Sequence, residues 1–192
     1  MPLVSRPELT AAIARGCVAS FPTDTVAAFA ARPGAADRIF KTKQRQPDKP
    51  LILMGGAAGQ LWPYVRGAAA ELKIWQDIAA RHWPGALTLV LPSSEKVPRE
   101  MNPKTPGSIG IRVPDCATAR EIIRKTSPLA TTSANRSGEP ALADPVAIAA
   151  AFPEAFVLDE AANWAGSGLP STVVRWRDGG WEVLRQGAIE IR

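Results

Sequence analysis

Apolar residues recur along this chain in short blocks separated by Pro, Gly and polar clusters, and the period within each block distinguishes helices from strands. Ser5 followed by Glu8 forms a capping box, Pro7 suits a first helical turn and Gly16 follows the apolar face, which predicts a helix from Arg6 to Arg15. Cys17 to Phe21 reads as a buried strand. An Ala-rich stretch after Thr25 breaks at Pro33-Gly34, and a short helix over Ala36 to Thr42 runs into basic residues. Leu51 to Met54 is a compact apolar strand. Ala69 to Trp83 carries Leu72, Trp75, Ile78, Ala79 and Trp83 at helical spacing, and Pro84-Gly85 ends it before a strand from Leu87 to Leu91. Ile109 to Val113 predicts a further strand, Asp115 a cap for a helix through Lys125, and Leu129 to Thr132 another strand. Asp144-Pro145 has the N-cap and N1 pairing that opens a helix. Val173 to Trp176 and Trp181 to Leu184 flank Arg177-Asp178-Gly179-Gly180, a hairpin signal that adds antiparallel pairing.

With no repeat, low-complexity tract or linker, the 192 residues are expected to form one α/β domain, 1–192. Composition agrees: 46% hydrophobic and 21% charged is a globular balance. No apolar run reaches the ~18 residues of a membrane span, and Met1 to Arg6 lacks signal-peptide order, so a cytoplasmic protein with no membrane partner is expected. Cys17 and Cys116 stand apart from any CxxC or His partner and read as buried free thiols. The net charge of +5 favours an anionic partner, yet no Arg-rich block or basic tail gathers it into one arm.

Three segments carry candidate chemistry. Lys41, Lys43, Arg45 and Lys49 fall within nine residues between a helix and a strand, where α/β sheets build their clefts. Arg can fork onto two phosphate oxygens while Lys acts as a point charge. Taken alone, such a run is more often a solvated face. Thr131 to Gly138 is a hydroxyl- and amide-rich turn after a strand, able to surround a phosphate or carboxylate, or simply to close on itself through Asx-turn hydrogen bonds. In Gly107 to Pro114, alternation puts Ser108, Gly110 and Arg112 on one face, opposite Ile109, Ile111 and Val113. The lone His82 has no motif partner and reads as structural. A P-loop, a GxSxG elbow and an HExxH pair are all absent, and no carboxylate cluster marks a metal site.

Taken in order, Phe21-Pro22-Thr23-Asp24-Thr25-Val26, Lys43-Gln44-Arg45 with Lys49-Pro50-Leu51, Trp83 to Leu89, Gly110 to Pro114, Ser133-Ala134-Asn135 with Ser137-Gly138, and Pro170 to Val174 resemble the YrdC-like threonylcarbamoyl-AMP synthases in their short form. The resemblance runs from about residue 6 to 190. It implies a twisted mixed parallel and antiparallel sheet, flanked by helices, around a concave basic cavity. The implied reaction joins L-threonine, bicarbonate and ATP into threonylcarbamoyl-AMP and pyrophosphate, for tRNA threonylcarbamoyladenosine modification by a separate transferase. Matched residue by residue, it implies Lys43 and Arg45 as catalytic, and Arg45, Lys49, Ser108, Ser133, Asn135 and Arg185 around ATP. Thr25, Arg112, Thr131 and Ser171 fall on the threonine side. Mg²⁺ would arrive with ATP. Departures occur where the family's aromatic and Gly-rich substrate wall is replaced by Ala27 to Pro33, at Gln46-Pro47, and at Ala141 in place of a common serine. Two other readings stay open: a paralogue that binds nucleotide with altered activity, and a tRNA- or RNA-binding, ribosome-associated module.

Overall fold

The computed structural model describes residues 3–46, 49–104, 106–159 and 166–191. Ten strands form one open mixed sheet: β1 (Leu3–Val4), β2 (Ala19–Phe21), β3 (Ala28–Ala31), β4 (Ile52–Met54), β5 (Leu87–Pro92), β6 (Ser108–Arg112), β7 (Leu129–Ser133), β8 (Phe156–Leu158), β9 (Thr172–Arg177) and β10 (Gly180–Arg185). Their order is β1-β8-β2-β3-β7-β4-β6-β5-β9-β10. Four neighbouring pairs are parallel (β1·β8, β2·β8, β4·β6, β5·β9) and the other five are antiparallel. Among the described residues, five α-helices join them: α1 (Arg6–Ala14), α2 (Ala36–Lys43), α3 (Ala69–His82), α4 (Ala117–Thr126) and α5 (Pro145–Ala151).

Local chemistry accounts for most boundaries. The Glu8 carboxylate accepts from the Ser5 N–H (2.9 Å) and hydroxyl (2.6 Å) at the start of α1. Asp144 accepts from the Val146 and Ala147 amides at the start of α5. Asp178 (φ 52°) and Gly179 (φ 78°) make the positive-φ corner of the β9–β10 hairpin, as the Asp-Gly pair requires. Asp115 does not cap α4: the helix begins at Ala117 after Cys116, and Asp115 instead faces Arg120 at 3.7 Å. The Ala-rich stretch, which has no period-2 contrast to mark it, is the inner strand β3, buried along its length. Strands β1 and β8 are short and also escape the pattern. Cys17 and Cys116 are free but only partly buried.

Helices α2, α3 and α5 pack with Phe29, Leu53, Leu89, Ile111 and Val174 on one face of the sheet. On the other, α1 and α4 pack against Phe21, Ala30, Met54 and Leu129, at the β1 side of the sheet. Among the described residues, the cavity opens on the part of that second face where Thr131 of β7, Ile52 of β4, Gly110 of β6, Val90 of β5 and Arg175 of β9 stand. The core of the first face centres on Trp75, which is fully buried and meets Trp176 edge-on at 6.2 Å. Trp75→Ala should cost about 3–5 kcal/mol, read as a lower urea midpoint at unchanged slope.

Candidate active site

A cavity of about 770 Å³ lies on this second face of the sheet. One transverse row of the sheet forms its floor: Arg175 pairs with Val90, Val90 with Gly110, Gly110 with Ile52, and Ile52 with Thr131. All five residues line the cavity. The sequence alternation in β6 holds, since Ser108, Gly110 and Arg112 face the cavity while Ile109 and Ile111 are core. Gly110 leaves the floor open: a Cβ there would sit 3.4 Å from Thr88 Cγ2 and 3.5 Å from Ile52 Cγ1. Four arginines, Arg45, Arg112, Arg175 and Arg185, line the wall, and no carboxylate residue does among those described. Low-dielectric walls with cations of one sign focus potential on an anion.

Arg112 is the most constrained of the four. Its Nε donates to the Gly85 carbonyl (3.0 Å), Nη1 to the Thr25 hydroxyl (3.0 Å) and Nη2 to Asp24 Oδ1 (2.7 Å), and the residue is 4% exposed. Burial pushes it down from the usual arginine range, and the Asp24 carboxylate opposes that shift. Three of five donors are used, leaving two for a ligand. Thr25 in turn contacts the Thr23 hydroxyl at 3.0 Å.

Arg185 donates to the Ser171 carbonyl through Nε (3.1 Å) and Nη2 (2.9 Å), and the Ser171 hydroxyl meets that of Thr88 at 2.9 Å. The Thr172 hydroxyl takes the Gly187 and Ile189 amides and donates to the Ile189 carbonyl, strapping the C-terminal segment beside Ser171. A Cβ at Gly187 would lie 2.3 Å from the Pro170 oxygen, so only glycine permits that approach.

Of the sequence-predicted residues, Thr25, Arg45, Ser108, Arg112, Thr131, Ser133, Ser171 and Arg185 come together around the one cavity. Lys43, Lys49 and Asn135 are not on its wall. Lys43 is 1% exposed, and its Nζ donates to the carbonyls of Ser133 (2.5 Å) and Asn135 (2.6 Å) and to Asn135 Oδ1 (2.9 Å). It therefore acts from beneath the Ser133–Asn135 turn. Asn135 also donates to the Arg136 and Glu139 carbonyls, closing the turn. Lys49 is exposed, and its carbonyl, with that of Pro50, receives Arg45. Pro47 lies outside the described residues. Within Ala27 to Pro33 only Ala28 faces the cavity; Phe29 and Ala31 belong to the core. Ala141 is exposed and off the wall.

Asp24 and Arg175 belong to the site but not to the sequence-predicted set. Asp24 stands inside the Thr23-Asp24-Thr25 motif, but its partner lies 88 residues away. Arg175 continues the alternation of Ser171 and Val173 along β9, which is the signal that could have found it. A second cavity, of about 580 Å³, lies at the other end of β3 beside Arg32 and Pro128 and holds none of the predicted residues. Among the described residues no group of His, Cys, Asp and Glu could hold a metal ion, and no helix is long and apolar enough to cross a membrane.

An open mixed sheet bearing an arginine-lined cavity, with no carboxylate on its wall among the described residues, defines an α/β protein with a cationic cavity. The chain belongs to the Sua5/YciO/YrdC family, whose model, described as telomere recombination, matches residues 11–187. It is 33% identical over 183 residues to the threonylcarbamoyl-AMP synthase of Chromohalobacter salexigens, covering 93% of this chain and 95% of that protein. It is 35% identical over 181 residues to the threonylcarbamoyl-AMP synthase of Bacillus subtilis, covering 90% of this chain but 50% of that one. The structure of P. abyssi Sua5 complexed with L-threonine is similar at a TM-score of 0.82 and 30% identity, over 97% of this chain and 56% of that chain. E. coli YciO, at 22% identity and a TM-score of 0.81 over 96% of this chain and 90% of that chain, shares the fold.

Two tests address the site's construction. Gly110→Leu should fill the floor and weaken pyrophosphate binding by roughly ten-fold, about 1.4 kcal/mol; calorimetry reads this, and unchanged affinity would mean the ligand sits elsewhere. Burial and the nearby Arg45 cation push the Lys43 ammonium from 10.5 down to about 7. Between those values the unfolded chain binds more protons than the folded one, so stability contributed at this residue rises with pH across the window. Urea midpoints followed upward from about pH 7 should climb more steeply for the parent than for Lys43→Met.

Proposed function

We propose that the chain is an L-threonylcarbamoyladenylate synthase, a cytoplasmic nucleotidyltransferase that works as one domain over residues 1–192. The observation carrying this reading is the gathering of four arginines and a ring of hydroxyls, without a carboxylate, in one cavity. The similarity to the C. salexigens synthase over nearly the full length of both chains supports it.

The reaction suits residues that bind and orient but do not attack. The threonine amine condenses with bicarbonate to an N-carboxylate, releasing water. A carboxylate oxygen then attacks the α-phosphorus of ATP, and the bond to the β-phosphate oxygen breaks with loss of pyrophosphate. The protein's contribution is to hold two anions in line and to neutralise charge growing on the phosphates. Arg45, Ser108, Ser133 and Arg185 serve the nucleotide, with Lys43 and Asn135 shaping the Ser133 turn and Lys49 holding Arg45 through its carbonyl. Arg112, fixed by Asp24, offers its two remaining donors to the threonine carboxylate, beside Thr25, Thr131 and Ser171. P. abyssi Sua5, a structural relative, is known complexed with L-threonine. Mg²⁺ bound to the ATP phosphates supplies further charge neutralisation when present. The adenylate passes to a separate tRNA threonylcarbamoyl transferase, with tRNA as the final acceptor.

Purified protein should release pyrophosphate from ATP only when threonine and bicarbonate are both present, and Arg45→Ala should abolish that release. Near-normal turnover by the variant would remove Arg45 from the site. Tight RNA binding that weakens steeply with salt, without such turnover, would replace the synthase by an RNA-binding module.

A further inference from the structure

Arg175 differs from the other arginines of the cavity in how it is held. Arg112 and Arg185 each make three side-chain hydrogen bonds, and Arg45 is tethered to the carbonyls of Lys49 and Pro50. Among the described residues Arg175 has no side-chain hydrogen bond. Its one charged contact is Nη1 to Glu182 Oε2 at 3.7 Å, beyond hydrogen-bond range, with the two side chains 43% and 49% exposed. Glu182 is its cross-strand partner in the β9–β10 hairpin, and Arg175 lines the cavity at the end of the floor row. An exposed, loosely seated ion pair contributes little and is readily exchanged. A guanidinium with five unused donors instead gains charge-assisted, forked hydrogen bonds from a phosphate.

We propose that Arg175 is a further binding residue of this cavity, parked against Glu182 when the site is empty and released to the polyphosphate of the incoming nucleotide. Glu182 competes with that polyphosphate for the same cation and so sets its affinity. The assignment deepens the nucleotide reading of the site and rests on it. It predicts an energetic coupling between one wall residue and one residue off the wall, which a merely structural hairpin pair would not produce in ligand binding.

The test is a double-mutant cycle read by calorimetry with pyrophosphate, using Arg175→Ala, Glu182→Gln and the double variant, with thermal melts as the folding control. Both side chains are substantially exposed, so each variant should fold. Arg175→Ala should weaken pyrophosphate binding about ten-fold, and Glu182→Gln should tighten it about three-fold. In the double variant the gain from Glu182→Gln should vanish. Equal gains with and without Arg175, or unchanged affinity in Arg175→Ala, would overturn the proposal. If threonine- and bicarbonate-dependent turnover is absent while the coupling persists, the synthase reading fails and the assignment of Arg175 stands.

Discussion

The buried contact between Arg112 and Asp24 is the constraint around which the site is arranged. It joins the end of β6 to the loop between β2 and β3, and through the Gly85 carbonyl it adds the turn that precedes β5. These segments are distant in sequence; the β6 strand and the β2–β3 loop supply wall residues, and the turn before β5 anchors Arg112 from behind. A guanidinium this deeply buried is tolerable only if its charge is met and most of its donors are used. Asp24 meets the charge, and Thr25 and Gly85 take two further hydrogen bonds. What remains of Arg112 is oriented before any ligand arrives, so little order has to be lost on binding.

Lys43 obeys the same rule with a different result. Its ammonium has three donors, and three oxygens of the Ser133–Asn135 turn take them, while the Phe29 ring lies 5.7 Å away. A cation that seemed destined for the ligand thus holds up the turn. The positive charge of the chain divides accordingly. Some of it is structural and spent inside, some is tethered at the wall, and Arg175 is held only loosely. Arg112 is balanced by Asp24 behind it, while no acidic residue stands on the described wall itself, so the arginines there bias the cavity toward an anion.

The position of the cavity follows from the helices. With α2, α3 and α5 covering one face, and α1 with α4 packing toward the β1 side of the other, the described residues leave a cavity on that second face across β7, β4, β6, β5 and β9. A polar alternation can survive there without burying unsatisfied groups. Ser108, Gly110 and Arg112 are the clearest case, since the same residues under a helix would be costly.

The sequence by itself determined the elements whose chemistry is local: the Ser5–Glu8 box, the Asp144 cap, the Asp178-Gly179 corner, the alternation of β6 and the long apolar face of α3. Its ordered motifs also determined the family, because each motif sits at a strand end or turn that contributes to the cavity. It could not mark β3, where alanine has no polar contrast, nor the short strands β1 and β8, which exist only through their pairing. Nor could it tell that Lys43 lies beneath the turn, that Asp24 binds Arg112, or that Arg175 completes the floor row. Those facts depend on partners up to 92 residues apart, and on which part of the sheet the helices leave uncovered. Only the folded chain sets these distances, because a charge is pushed into the core or left at a wall by what surrounds it, not by its neighbours in sequence.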